Sequence, residues 1–218
     1  CAEVETERPR VLVTGARGFI GSHLVAALER GGAEAHAFEG DYHDPAAVEQ
    51  ALRSISPTTL VHSAWRLAGG SGYLHDPAHV EELRGSLRLF TSAQRAGCER
   101  IVGIGTCIEY DVSGGPTPED APLSPRTLYG AAKAALFMTA QAWSHGAGVA
   151  FAWARLYHPY GPREAPQRLI PSVVNALLRG ERVATTTGLQ RRSFLHVEDV
   201  ADGIAAITLT DSTGAFNV

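Results

Sequence analysis

Cysteine is scarce: Cys1, Cys98 and Cys107 are the three in 218 residues. They are too few and too scattered to frame a disulfide scaffold or a metal cluster. No excess of either charge is present, and a formal net charge of −4 gives no reason to expect a nucleic-acid partner. No apolar run reaches membrane-spanning length, and the opening Cys1-Ala2-Glu3-Val4-Glu5-Thr6-Glu7-Arg8 lacks the apolar core of a signal peptide. The simplest address is cytoplasmic, with no membrane partner. Metal ligands at usable spacing are missing too. His75 and His79 are four apart, but Pro77 stands between them and no third ligand is near, so no metal is expected.

What is present suffices for one large α/β domain, or for one domain with a small appendage, since 44% of the residues are hydrophobic. Periodicity predicts strands near 10–14, 34–38, 58–62, 100–105 and 149–156, and helices near 20–30, 45–54, 78–96, 128–145, 168–179 and 198–208. Residues 214–218 read as a further strand. Strands alternating with helices imply a doubly wound parallel sheet covered on both faces. The run 113–122 is a loop by its glycines and prolines, either a lid over a pocket or an ordinary surface connection.

Two motifs carry chemistry. In Val11-Leu12-Val13-Thr14-Gly15-Ala16-Arg17-Gly18-Phe19-Ile20-Gly21-Ser22-His23-Leu24 an apolar strand enters a glycine turn and leaves it as a helix. Glycines there permit a tight turn and close approach to a pyrophosphate, while the helix start offers free N–H groups and the positive end of its dipole. In Tyr129-Gly130-Ala131-Ala132-Lys133 the outer residues share one helix face. A nearby cation favours phenolate over phenol, so Tyr129 can exchange a proton with a hydroxyl or carbonyl. A surface helix pair would show the same spacing.

Further motifs follow in order: Val61-His62-Ser63-Ala64, Gly103-Ile104-Gly105-Thr106, Arg155-Leu156-Tyr157-His158-Pro159-Tyr160-Gly161-Pro162-Arg163 and Arg191-Arg192-Ser193-Phe194-Leu195-His196-Val197-Glu198-Asp199-Val200. With all six, nearly the whole chain resembles the extended short-chain dehydrogenase/reductase family, in its branch of nucleotide-sugar epimerases, dehydratases and ketoreductases. The resemblance implies a Rossmann sheet over 10–160, a flexible tail over 1–9, and substrate-binding segments over 161–218 interleaved with the last Rossmann elements. It also implies a small C-terminal lobe that is incomplete here, and a homodimer formed through a four-helix bundle. The implied catalytic set is Thr106, Tyr129 and Lys133, the lysine also binding the nicotinamide ribose and lowering the pKa of Tyr129. Implied cofactor contacts are Gly15, Arg17, Gly18, Phe19, Ile20, Gly21, Glu39, Asp41, Tyr42, Ser63, Ala64 and Tyr157. Thr106, His158, Arg163 and Arg192 would hold the substrate, a nucleoside-diphosphate sugar, with the Arg192 fork suited to its diphosphate.

Departures from the family pattern narrow this reading. Glu82 stands three residues before Gly85, where the family has an Asn, and a carboxylate cannot donate the amide's hydrogen bonds; no direct catalytic part is expected of it. Cys107 and Ile108 replace the Asp-Glu pair of the dehydratases, which favours epimerisation or carbonyl reduction. His158 replaces another Asn and either binds substrate or fills a turn. The cofactor is NAD or NADP, since Arg17 suits a 2′-phosphate and Glu39 repels one. No room exists for a strand between Glu39 and Asp41, so either the protein is shortened there or a segment is missing, in which case Glu39 belongs to the third strand. The Gly214–Val218 strand ends where relatives continue into the rest of the lobe. The alternatives are a cofactor-sensing regulator that kept the fold and lost catalysis, and a reductase of non-nucleotide carbonyl compounds without the diphosphate clamp.

Overall fold

The computed structural model describes residues 8–67, 71–111 and 115–218. The predicted tail over 1–9 lies outside these but for its last two positions, and so does part of the 113–122 loop. In chain order the strands are β1 (Arg10–Thr14), β2 (Glu34–Ala37), β3 (Thr59–His62), β4 (Arg100–Thr106), β5 (Ala150–Leu156), β6 (His158–Tyr160), β7 (Phe194–His196) and β8 (Gly214–Asn217). The helices are α1 (Phe19–Arg30), α2 (Pro45–Ile55), α3 (Ala78–Arg95), α4 (Leu128–Ala147), α5 (Leu169–Leu178) and α6 (Val197–Leu209).

Val11, Leu12 and Val13 are buried on both sides of β1, as an unbroken apolar run requires, so helices must cover both faces of its sheet. The sheet has six strands in the order β2-β1-β3-β4-β5-β8, every pair parallel. On one face Leu24 and Leu28 of α1 pack with Val200 and Ile204 of α6. On the other, Leu52 of α2, Leu89 and Phe90 of α3, and Leu136 and Phe137 of α4 form one cluster that includes Trp153 of β5. Each such side chain contributes about 1.5–3 kcal/mol by leaving water. Helix starts follow local chemistry: Asp44 caps α2 by accepting from Ala46 N at 2.9 Å, with Pro45 as the first helical residue, and Thr127 caps α4 by accepting from Gly130 N at 3.1 Å.

The predicted strands and helices are all present, their ends within two residues of expectation. Two three-residue strands escape sequence reading, β6 and β7, which form a separate parallel pair. Two short 3-10 turns escape it too, Ser71–His75 and Cys107–Glu109. Such pieces are too brief to show a period. The chain passes from β2 through Phe38–Asp44 directly into α2, and among the described residues no strand lies outside β2. Within 115–122, Thr117 and Glu119 are tied to Tyr157 and Asn217. No described helix is long and apolar enough to cross a membrane.

Candidate active site

Strand order reverses between β1 and β3, and in doubly wound sheets ligands bind at the carboxyl ends of strands beside such a switch point. Thr14 and Gly15 end β1, Ser63 follows β3, and Thr106 ends β4, so the motifs read from sequence meet at this edge. Gly15 has φ +70°, and a Cβ there would lie 2.7 Å from Ala64 N; a Cβ on Gly21 would lie 2.2 Å from Gly15 O. Both positions need glycine for the turn to close and α1 to approach it. Gly18 begins α1 with no side-chain cap, so the N–H groups of Phe19 and Ile20 start the helix free of one. That is the cradle a dinucleotide pyrophosphate requires, and the residues present fit NAD on that ground.

A buried relay props this edge from behind. Ser86 Oγ donates to Glu82 O at 2.7 Å, so it accepts from His62 Nε2–H at 2.8 Å. That leaves His62 Nδ1 to accept from the Thr14 hydroxyl at 2.7 Å, and Thr14 Oγ1 in turn accepts from Ala64 N at 3.2 Å. His62 is neutral: burial, then Lys133 and His43, hold its pKa well below the ordinary histidine value.

Beyond the glycine turn Arg17 and Glu39 pair directly with each other, at side-chain exposures of 80% and 59%. A pair so exposed is worth about 0–1 kcal/mol. Asp41 caps its own turn by accepting from His43 N at 2.9 Å. Tyr42 turns inward instead, donating to Glu82; burial and that carboxylate raise its pKa. Glu82 is fully buried and also meets His43 Nε2 at 3.0 Å, Arg66 N at 2.9 Å and Arg66 Nε at 2.8 Å. Burial pushes its pKa up, but the bonds from Tyr42 and Arg66 outweigh that and hold it below the usual carboxylate range. The position that departs from the family pattern thus ties the loop after β2 to the loop after β3.

Thr106, Tyr129 and Lys133 come together where β4 meets α4. A Cβ on Gly130 would lie 2.4 Å from Ile108 O, so only a glycine beside Tyr129 lets α4 approach the Cys107–Glu109 turn this closely. Tyr129 there comes near enough to the Thr106 side chain for that hydroxyl to favour its ionised form. Thr106 is fixed in turn, its N–H donating to Glu109 Oε1 at 2.8 Å. Glu109 is fully buried and paired with Arg155 Nε at 2.7 Å, with Trp153 Nε1 adding a bond at 3.1 Å. Nothing in sequence reading marked Glu109 or Arg155 as a pair, because 46 positions separate them.

Lys133, the sole lysine of the chain, is buried; its ammonium donates to Ile104 O at 2.7 Å and lies 3.9 Å from the Trp65 ring centroid. A desolvated cation over an indole face is worth about 2 kcal/mol. Burial nevertheless lowers its pKa to about 7, against the favourable charges of Glu109 and Glu82. Tyr129 departs from expectation in the opposite sense. Burial, with Tyr73, Glu109 and Cys107, raises its pKa, and the nearby Thr106 side chain only partly offsets this. Without cofactor, then, the phenol is held protonated rather than activated. Trp65 and Tyr73, unread in sequence, and His79, weighed there only as a metal ligand, ring it at centroid distances of 6.1, 5.8 and 5.1 Å.

The remaining candidates lie on the C-terminal side. His158 packs on Phe194 at 5.6 Å, and burial, then Arg192 and Arg168, lower its pKa. Arg192 is exposed, and its positive charge acts to lower the pKa of both His158 and Cys107. Arg163 is exposed with φ 71°. The Tyr157 hydroxyl points to Thr117, donating to its carbonyl at 3.2 Å.

A doubly wound sheet with a glycine cradle at its switch point and a Thr/Tyr/Lys cluster beside it defines a dinucleotide-dependent enzyme class. Residues 11–218 match the NAD dependent epimerase/dehydratase family, and the chain belongs to that family. It is 32% identical over 234 aligned positions to a dTDP-glucose 4,6-dehydratase of Streptomyces griseus, covering 94% of this chain and 71% of the relative. It is 26% identical to UDP-glucuronic acid decarboxylase 1 of Arabidopsis thaliana, covering 97% of this chain and 54% of the relative. Its fold superimposes on the UDP-glucose 4-epimerase of Thermus thermophilus in complex with NAD with a TM-score of 0.83 at 29% identity, covering 96% of this chain and 77% of that one. An alignment of 234 positions exceeds the chain's 218 residues, so the dehydratase carries insertions relative to it, as the direct passage from β2 to α2 leads one to expect.

Proposed function

We propose that the protein is an NAD-dependent epimerase or ketoreductase acting on a nucleoside-diphosphate sugar at one carbinol or carbonyl carbon. The observation that carries this reading is the close approach of α4 at Tyr129-Gly130 to the turn that follows Thr106 at the carboxyl end of β4, with Lys133 one helical turn on and the glycine cradle alongside. NAD, when bound, supplies the hydride chemistry. Gly15, Gly18 and Gly21 admit its pyrophosphate, and Glu39, tempered by Arg17, faces its adenosine ribose. The Thr106 hydroxyl holds the reacting sugar oxygen, and Tyr129 takes or returns the proton on it. Lys133 supplies the positive charge that favours phenolate, and Arg192 grips the diphosphate with its fork.

Epimerisation or reduction fits better than dehydration. Elimination of water needs an acid and a base at the carbons beside the reacting one, and the two positions after Thr106 offer a thiol and an alkyl group. Burial raises the pKa of the Cys107 thiol, which makes it a poor base. The nearest carboxylate, Glu109, is committed to Arg155 and Trp153.

The test incubates the protein with NAD or NADH and a panel of UDP- and dTDP-hexoses, following nicotinamide absorbance and, by proton NMR, sugar configuration. Inverted configuration without net absorbance change identifies an epimerase; stoichiometric loss of NADH identifies a reductase. A 4-keto-6-deoxy product would overturn the argument from Cys107 and Ile108. No change with any sugar removes the reading.

A further inference from the structure

We infer that Trp65 is a positioning residue of this site: anchored on His79, its indole carries the Lys133 ammonium and braces the Tyr129 ring. This rests on the reading of Tyr129 and Lys133 as the working pair. Trp65 follows Ser63-Ala64 at the end of β3, so the backbone that closes on Gly15 also fixes its entry. Its Nε1–H donates to His79 Nδ1 at 3.1 Å. His79 must therefore carry its own proton on Nε2, which donates to Tyr73 O at 2.5 Å. His79 is fully buried, so the bond to Trp65 answers a polar atom that would otherwise be left dry. The Tyr73–His79–Trp65 chain ends on Lys133, whose Nζ lies 3.9 Å from the indole centroid. The indole also meets the Tyr129 ring nearly edge to face, at 68°.

What Trp65 does for Lys133 follows from the rest of that pocket. The ammonium is buried, with its hydrogen bond to Ile104 O from β4. The titratable groups felt around it are Glu109 from the turn after β4, Glu82 from α3 and His62 from β3. His62 is neutral, and both carboxylates are already engaged, Glu109 by Arg155 and Glu82 by Arg66. With the Trp153 ring farther off at 5.9 Å, the Trp65 indole face is thus the close neighbour that answers the charge without claiming it. It keeps the cation in place and charged one helical turn from the phenol on which it acts.

One lysine makes the test direct. Protein labelled with carbon-13 at lysine Cε gives a single side-chain signal, from Lys133. In the parent, the indole's ring current displaces this signal upfield of a free lysine. In Trp65→Leu it moves towards the free position, short of it by the effect of the remaining Trp153 ring at 5.9 Å, and its titration midpoint falls. In Trp65→Phe, which keeps a ring but loses the N–H to His79, both effects are partial. For nucleotide-sugar turnover, kcat falls roughly tenfold to hundredfold in the Leu variant, less in the Phe variant, as loss of support to a proton-transferring group predicts. KM stays within about twofold, because the residue acts through Lys133 and Tyr129 rather than on the sugar. An undisplaced parent signal, a midpoint that rises in Trp65→Leu, or a KM that rises while kcat holds would each overturn the inference. If the Leu variant does not fold, a Phe variant identical to the parent in signal and kcat overturns it equally. Absence of turnover in the parent removes the proposed function, and the lysine signal still decides the role of Trp65.

Discussion

The two sides of the sheet edge are built on different terms. At the carboxyl ends of β1, β3 and β4, on the cofactor side, the chain is held by buried partners: Thr106 by Glu109, Glu109 by Arg155, and Ala64 by Thr14 and His62. On the substrate side, α5 has no buried residue, and Leu178 and Leu189 are 80% and 84% exposed. Arg163 and Arg192 are exposed as well. Packing therefore fixes the side proposed for cofactor and chemistry, whereas the surface proposed to choose a sugar is dictated by little except its own sequence. Relatives can share the first side and diverge on the second at small cost in stability, which suits a family that holds dehydratases, decarboxylases and epimerases.

Breaking the cofactor side should be expensive. Tyr129→Phe should lower turnover by about 10²–10⁴ while the melting temperature and NAD affinity hold; parent-like turnover would remove Tyr129 from the mechanism. Glu109→Ala leaves Arg155 buried and unpaired, a loss of about 3–5 kcal/mol. At about 2–4 °C per kcal/mol for a domain of this size, calorimetry should show a melting point lower by roughly 6–20 °C.

Lys133 gives a signed pH effect. Its folded pKa, about 7, lies below the ordinary lysine value of 10.5, so between those limits the unfolded chain binds the extra proton. Stability from this group therefore rises with pH from about 7 towards 10.5. Urea unfolding at pH 6, 7.5 and 9 should show that rise in the parent relative to Lys133→Met; parallel curves would count against a depressed lysine.

The substrate side should answer in binding alone. Arg192→Ala should raise KM for the nucleotide sugar about tenfold, the loss of a charge-assisted hydrogen bond, with an unchanged melting point; an unaffected KM would count against the diphosphate assignment. Leu178→Ser should move stability by no more than about 0.5 kcal/mol. A larger loss would mean that α5 is packed more firmly than its exposure indicates.

Legibility in the sequence divides along the same line. Strands and helices of ordinary length announced themselves, because burial on one or both faces imposes a period. The glycine turn and the Tyr129/Lys133 spacing were legible because each is local. Glu109 with Arg155, and Glu82 with Tyr42, His43 and Arg66, were not, because those partners meet only after the sheet forms. Glu82 shows the point well: its departure from an Asn pattern was visible, but that it fastens two loops was not. The Trp65–His79–Tyr73 chain was hidden for the same reason, and His79 drew notice only as a metal ligand. The raised pKa of Tyr129 was missed because spacing gives proximity to a cation and says nothing about desolvation.

The direct passage from β2 into α2 carries one more consequence. With no strand outside it, β2 is an edge of the sheet, and an edge strand presents backbone groups on which a foreign strand can pair. Here that edge is four residues long and bears Glu34 and His36 among its side chains. Shortness and a charged side chain are the usual means of blunting such an edge, so this outer margin offers a foreign strand few backbone groups to pair with.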